Sequence, residues 1–336
     1  MTGADRRPAA ADGVPVVRVA PAKINLTLSI GPRRPDGYHA LHSVMVPLAF
    51  ADVVTVAPAH GPDDTLHVVG DSTPPRPDDL VLRGIAAARR TARALLGPGT
   101  DLGPLAARLD KRIPIAAGLA GGSSDAAAAF EGALEAWGVA ADVPMTERVA
   151  AAMAIGSDVP FFLAGGPALV EGTGERLMPL RAPVGLPSGI LVVTPAVGVS
   201  TAEAFRRFDE GGAAAPADPR STRITSEHLA QELGAGLATD QLVARAGVLA
   251  TANDLMNATA MLVPELRTMR RSLARQLARP VGQSGSGASL WAIYPSAAAA
   301  QAAAAHLEAA FAGGTIAGPG DGPPLVIAST IIGREP

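Results

Sequence analysis

The chain has 336 residues, enough for one large or two ordinary domains with a sizeable core. Its 28 Lys and Arg against 31 Asp and Glu leave a formal net charge of −3, which excludes the broad basic surface of a nucleic-acid or anionic-membrane binder and points to a small partner. There is no Cys for a disulfide framework or thiolate zinc site, and neither the N-terminus nor the charge-broken alanine runs read as a signal peptide or membrane span, so a soluble cytoplasmic protein is expected.

Residues 1–13 read as a disordered tail, and "VPVVRVAPAKINLTLSI" (14–30) then carries the β-branched clusters of strands. "PRRPDGYHALHSVMVPLAFADVVTVAPA" (32–59) opens on turn residues and continues as further strands of an antiparallel N-terminal sheet. "PDDLVLRGIAAARRTARALL" (77–96) is a helix opened by capping Asp residues and closed at the following glycines. A glycine loop and an alanine-rich helix follow in "IPIAAGLAGGSSDAAAAF" (113–130). The stretch 145–180 reads as a helix, a turn, a second short helix and a strand pair around "EGTGE", and a domain is expected to close near Leu180. Beyond the linker "APVGLP", the expected elements are a buried strand "GILVVTPA", a mobile loop at 209–222, helices over 241–248 and 254–277, a strand "ASLWAIYP", a long helix after Ser296 and a last strand "PLVIAST". No internal repeat is visible.

The basic residues are almost all Arg; only Lys23 and Lys111 are Lys. A compact ammonium with rotatable donors is not interchangeable with a planar guanidinium, so these two positions are candidates for a specific task. The glycine loop is the second candidate. Glycines crowded before a helix let backbone N–H groups close on an anion at the positive end of the helix dipole, although a turn needed only for packing has the same appearance. The stretch is neither G-x-x-x-x-G-K-[ST] nor G-x-G-x-x-G, and no Lys follows the glycines, so a phosphate bound here takes its countercharge from elsewhere in the chain. Asp158 in "GSDVPFF" suits a general base and suits a helix N-cap equally. "DGYH" (36–39) is an ordinary turn, or a Tyr face for a nucleobase with a His for its polar edge. "VGQSGSGASLW" (281–291) lacks the spacing of a hydrolase elbow, and the six His form no zinc-like set.

In order and spacing, "APAKINL" (20–26), "DGYH", the glycine loop, "GSDVPFF" (156–162), "NDLMNA" (253–258) and "VGQSGSGASLW" resemble the GHMP kinases, the family of galactokinase, homoserine kinase, mevalonate kinase and phosphomevalonate kinase. The resemblance runs from Val16 to Ile332 and is weakest over 209–248. It implies an α+β, two-domain GHMP kinase-like fold. An N-terminal ATP-binding domain would occupy 14–180 and a C-terminal ferredoxin-like α/β sandwich 181–334, with the active site in the cleft between them. It implies ATP with Mg²⁺, the ion carried by ATP with Ser123 or Ser124 in reach, and no metal site of the protein's own. The motifs most resemble the branch of the family that acts on a cytidine diphosphate-linked methylerythritol, phosphorylated on its 2-hydroxyl on the non-mevalonate route to isoprenoids. Another GHMP small-molecule kinase of homoserine or mevalonate type, or a nucleotide-binding protein without catalysis, stays open beside it.

By the same resemblance Asp158 is the catalytic base and Lys23 its partner. ATP is held by Lys111 and by the loop Pro114, Ile115, Ala116, Ala117, Gly118, Leu119, Ala120, Gly121, Gly122, Ser123 and Ser124, with Asp125 following. Tyr38 and Phe205 sandwich the cytosine, His39 reads its edge, and Asn25, Thr201 and Asp158 lie near the acceptor. Ala116, Ala117 and Ala120 depart from the glycines usual in the family, and Asp79 and Asp125 stand where Asn is common, which puts the loop geometry and the adenine contact in question. The oligomeric state is not legible.

Overall fold

The structure, a computed structural model, describes residues 13–69, 78–211 and 219–334. The expected tail, apart from Gly13, and the centre of the expected loop at 209–222 lie outside the described residues. In chain order the elements are β1 (Val16–Asn25), β2 (Ser29–Arg33), β3 (His39–Pro58), β4 (Thr65–Val69), α1 (Leu80–Leu96), β5 (Leu105–Asp110), α2 (Gly121–Ala136), α3 (Met145–Ile155), α4 (Val159–Leu163), β6 (Ala168–Gly172), β7 (Arg176–Pro179) and β8 (Gly189–Thr194). They continue with α5 (Thr201–Glu210), α6 (Pro219–Ala235), α7 (Thr239–Ala244), α8 (Ala246–Leu249), α9 (Met256–Leu262), α10 (Glu265–Leu277), β9 (Gly282–Gln283), β10 (Leu290–Tyr294), α11 (Ala297–Ala312) and β11 (Leu325–Thr330).

The chain forms two compact units. The first comprises Met1–Pro21, Ala51–Ile113 and Gly121–Leu163. Here the second half of β3 pairs antiparallel with β5, Val53 opposite Asp110, and β5 pairs parallel with β4. Helix α1 forms where expected because its apolar residues recur at helical spacing, Val81, Ile85, Ala88 and Ala92 all being buried, and because the Asp79 carboxylate accepts from Val81 N at 2.8 Å as N-cap. Gly84 of α1 lies against the Ala126 carbonyl of α2, where a Cβ would come within 2.4 Å of that oxygen. The alanine run of α2 (Ala126, Ala127, Ala128, Ala129) is buried, so small residues on both helices permit the close approach. Val54, Ile85, Phe130 and Leu134 fill the core, each burial stabilising by about 1.5–3 kcal/mol.

The second unit comprises Ala22–Phe50, Pro114–Ala120 and Ala164–Pro336. Its part of β3 pairs with β2 and with β6, Ser43 opposite Val170, and β6 pairs with β7. A separate four-stranded antiparallel sheet runs β11-β8-β10-β9. Counting from β8, that order is 4-1-3-2, the ferredoxin-like arrangement expected of the C-terminal sandwich. Leu266, Met269 and Leu273 of α10 and Ala300, Ala304 and Leu307 of α11 join β8 and β10 in one core.

Three expectations are corrected. The units do not divide at 180/181: both are discontinuous in sequence, because β1 and the 20-residue β3 each contribute residues to both. A linker reading sees local turn chemistry and is blind to such strands. The helix expected over 254–277 is two helices, α9 and α10, interrupted at Pro264, which has no N–H for the ladder and clashes with the preceding turn. Residues 219–222 are not loop but the start of α6, a 17-residue helix. Its buried positions Thr222, Ser226, Leu229, Ala230 and Leu233 are helically spaced, but two of them are polar, so the stripe is faint in sequence. No helix among the described residues is long and apolar enough to cross a membrane.

Candidate active site

In the second unit, residues 116–119 present four successive carbonyls to protein donors. Ala116 O accepts from Val199 N at 3.2 Å, Ala117 O from Ser289 N at 3.1 Å, Gly118 O from Ser284 Oγ at 2.8 Å and Leu119 O from Lys23 N at 3.0 Å. A trans peptide sets N–H opposite C=O, so anchoring these carbonyls turns the amides of 117–120 the other way, as an anion-binding concavity requires. Gly118 has φ +76°, and a Cβ there would lie 2.4 Å from the Ser284 carbonyl oxygen, so only glycine fits. The departures from glycine are not equivalent: Ala116 and Ala120 adopt left-handed φ of 55° and 53°, whereas Ala117 does not. A left-handed Ala costs about 1–2 kcal/mol. Ala120→Gly is therefore expected to stabilise the protein by roughly 0.5–1 kcal/mol, read as a raised thermal midpoint, without raising KM for ATP. A lowered midpoint would show that the alanine methyl contributes packing that outweighs its backbone strain.

Lys23 is not a surface residue of the strand. It is 4% exposed, and its Nζ donates to Asn25 Oδ1 at 2.8 Å. Asn25 is held in turn by Nδ2 donating to Ser43 Oγ at 2.8 Å and by its N–H to Ser284 Oγ at 3.3 Å. Ser284 thus ties the "APAKINL" strand to the glycine loop. Gly285, at φ +55°, would bring a Cβ within 3.6 Å of Lys23 Nζ. Asn253 donates through Nδ2 to the Gln283 and Gly285 carbonyls at 3.0 and 2.9 Å, which fixes the C-terminal glycine motif in place. The adjacent Asp254 accepts from Ile30 N at 2.8 Å. "NDLMNA" therefore acts as a brace between β2 and that motif, a role its sequence alone does not reveal.

In the first unit α2 opens at Gly121, where a Cβ would meet Ile113 Cγ2 at 2.8 Å and Lys111 Nζ at 3.0 Å. Ser123 is partly exposed, and Ser124 is buried with an Oγ that has no hydrogen-bond partner among the described residues. Lys111 is held by two carboxylates of its own unit. Its ammonium bonds Asp125 Oδ2 at 2.7 Å and Asp52 Oδ2, and Asp52 Oδ1 also accepts from Arg112 N and from Ile113 N at 2.8 Å. Asp52 is fully buried. Burial opposes the charge on Lys111, but Asp125 and Asp52 together outweigh it and hold its pKa above the ordinary lysine value. Burial, reinforced by the neighbouring Asp52, pushes the Asp125 carboxyl up to about 7 against the pull of Lys111. Two carboxylates share one ammonium, and the cluster clamps residues 111–113 to the start of α2. The sequence signal for Asp52 was a carboxylate on the inward face of "FADVVTV", alternating with buried Val54 and Val56.

On the acceptor side, again in the second unit, Tyr38 is 68% exposed, with its N–H donating to Asp36 Oδ1 at 3.1 Å. His39 is buried. Its Nδ1 lies 2.8 Å from the Gly31 carbonyl and its Nε2 2.9 Å from Asp209 Oδ1, while Phe205 stacks on the ring at 5.7 Å and Phe208 meets it edge-on. Both ring nitrogens face oxygens of the chain itself, Nδ1 as a hydrogen bond and Nε2 by proximity alone. Thr201 is the first residue of α5, which Ser200 caps, and its hydroxyl lies 3.0 Å from Ser286 Oγ, linking α5 to the C-terminal glycine motif.

Asp158 belongs to the first unit and Lys23 to the second. Asp158 is partly buried and stands between the end of α3 at Gly156 and the first residue of α4. Its place is compatible with both uses read from the sequence.

A model of the GHMP kinases N terminal domain matches residues 79–166. A 4-diphosphocytidyl-2-C-methyl-D-erythritol kinase of Deinococcus radiodurans is 39% identical over 290 residues, covering 86% of this chain and 87% of that protein. A crystal structure of 4-(cytidine 5'-diphospho)-2C-methyl-D-erythritol kinase superimposes with a TM-score of 0.64 at 32% identity, over 94% of this chain and 99% of that one. A homoserine kinase from Cytophaga hutchinsonii superimposes equally well, with a TM-score of 0.66 over 95% and 96% of the two chains, but at 18% identity, which carries the fold alone. With the inward-facing carbonyls of the loop, the braced Lys23 and relatives of this identity over nearly the whole length, the chain belongs to the GHMP kinase family.

Proposed function

We propose that the protein transfers the γ-phosphoryl group of ATP to the 2-hydroxyl of 4-diphosphocytidyl-2-C-methyl-D-erythritol, giving the 2-phosphate and ADP, a step of the non-mevalonate route to isoprenoids. The observation that carries this reading is the 39% identity to a kinase of that name over 290 residues. The amides of 117–120 and the N-terminus of α2 take the phosphates of ATP. Mg²⁺ accompanying the nucleotide fits the residues present, because the buried Ser124 Oγ is a hard oxygen donor without a hydrogen-bond partner among the described residues, with Ser123 beside it. Bound there, the ion would neutralise charge on the β- and γ-phosphates. Lys23, oriented by Asn25, draws the charge of the acceptor oxygen. Asp158 takes the proton of the 2-hydroxyl as its oxygen bonds phosphorus and the bond from phosphorus to the ADP oxygen breaks.

ADP release from Mg²⁺-ATP, with and without the cytidine substrate, tests the reading, with homoserine and mevalonate as parallel acceptors. Stimulation by the cytidine substrate alone is expected; stimulation by either of the others instead would replace it. Tyr38, with its exposed ring, is proposed to stack on the cytosine. Tyr38→Ala should raise KM for the cytidine substrate roughly tenfold or more with kcat retained, since base stacking on an aromatic ring is worth about 1–3 kcal/mol. An unchanged KM would remove Tyr38 from the substrate site.

A further inference from the structure

The buried His39 is hydrogen-bonded at one ring nitrogen by its own chain and faces, at the other, a carboxylate with no task in the reading so far. A carbonyl only accepts, so the Gly31 oxygen 2.8 Å from Nδ1 requires the proton on Nδ1. Nε2 lies 2.9 Å from Asp209 Oδ1, an ion pair when the ring carries its second proton on Nε2, although the two are not aligned as a hydrogen bond. Phe205, Phe208 and Asp209 stand at i, i+3 and i+4 on one face of α5, and that face meets His39. Asp209 sits in the last turn of α5, where the helix dipole disfavours a carboxylate. Unlike His39 it is not enclosed: its side chain is 32% exposed, and Oδ2 makes a long ion pair, 3.9 Å, with the exposed Arg33 guanidinium. A carboxylate thus sits at an unfavourable helix position beside the Tyr38 turn, with Oδ1 against His39 and Oδ2, among the described residues, only in a long ion pair with the exposed Arg33.

We propose that Asp209 determines the base specificity of the acceptor site: the His39 imidazolium orients its carboxylate, and Oδ2 accepts from the exocyclic 4-amino group of cytosine. This deepens the cytidine reading above and rests on it. The chemistry selects by sign. An ionised carboxylate offers only acceptors, which suits the amine of cytosine and opposes the 4-carbonyl of uracil. It also accounts for a His that is stacked and buried while its nitrogens stay with the protein, because the ring serves the carboxylate and Phe205 and not the base directly.

The test is the ratio of kcat/KM for 4-diphosphocytidyl-2-C-methyl-D-erythritol to that for its uridine counterpart, in the full chain and in Asp209→Ala, Asp209→Asn and Asp209→Glu. In Asp209→Ala the ratio should fall roughly 10- to 100-fold, through a higher KM for the cytidine substrate with KM for ATP unmoved. In Asp209→Asn, which keeps the shape and replaces an acceptor by a donor, the uridine substrate should gain in absolute terms, and Asp209→Glu should restore part of the cytidine preference. A merely structural role predicts equal losses for both substrates. An unchanged ratio in the Ala and Asn variants of an active enzyme overturns the role of Asp209 alone. A wild-type protein without cytidine-dependent turnover overturns the cytidine reading and this inference with it.

Discussion

Asp158→Asn is expected to lower kcat by roughly 10²- to 10⁴-fold while KM for ATP stays within a few-fold of wild type. The substitution separates the two uses that the position admits. Asn and Asp are nearly equal as helix N-caps, so if the side chain serves only to open α4, the amide variant keeps both its stability and its turnover. The amide cannot take a proton from the acceptor hydroxyl, so if the carboxylate is the base, turnover collapses in a protein whose thermal midpoint is unmoved. Steady-state kinetics and a melting curve on the same preparation decide the matter, and full activity would refute the base assignment. The carbonyls of the glycine loop are anchored by Val199, Ser284, Ser289 and the Lys23 backbone, and the substitution alters none of these residues.

Lys111→Met should destabilise the protein by about 3–5 kcal/mol at pH 8, since it leaves the fully buried Asp52 and the buried Asp125 without their shared countercharge. The loss should be smaller at pH 5.5. The Asp125 carboxyl titrates near 7 in the folded protein and near 3.8 when unfolded, so between these values the folded state holds the extra proton. Stability contributed by that proton is present at the acid end of the window and is lost as pH rises through about 7. Removing the lysine deepens this dependence. Asp125→Asn in the same background should flatten it, because the neutral amide has no charge to bury. Urea midpoints at the two pH values check both statements. Equal destabilisation at pH 5.5 and pH 8 would show that Lys111 acts through packing of its stem and not through charge. The same variant bears on nucleotide binding, because Asp52 also holds the backbone of Arg112 and Ile113 just ahead of the loop.

Sequence by itself determined what local rules encode. The Asp79 cap, the 3.6-residue spacing and the closing glycine placed α1. The glycines and the serines behind them placed a tight loop before α2, and the scarcity of lysine singled out Lys23 and Lys111. Family motifs then supplied the order in which these parts recur. What only the tertiary structure decided are the partnerships across long separations: Lys111 with Asp52, 59 residues away, and Ser284 with Gly118, 166 away. His39 and Asp209 belong with these, one at the start of β3 and the other near the end of α5. Helix α6 lies between the two cases, its buried face carrying Thr222 and Ser226 among the apolar residues and so reading as featureless. The physical reason is the range of the code. Caps, turns and periodicity act over a few residues of backbone, whereas which carboxylate meets which cation is set by strand pairing and helix packing that no short window contains.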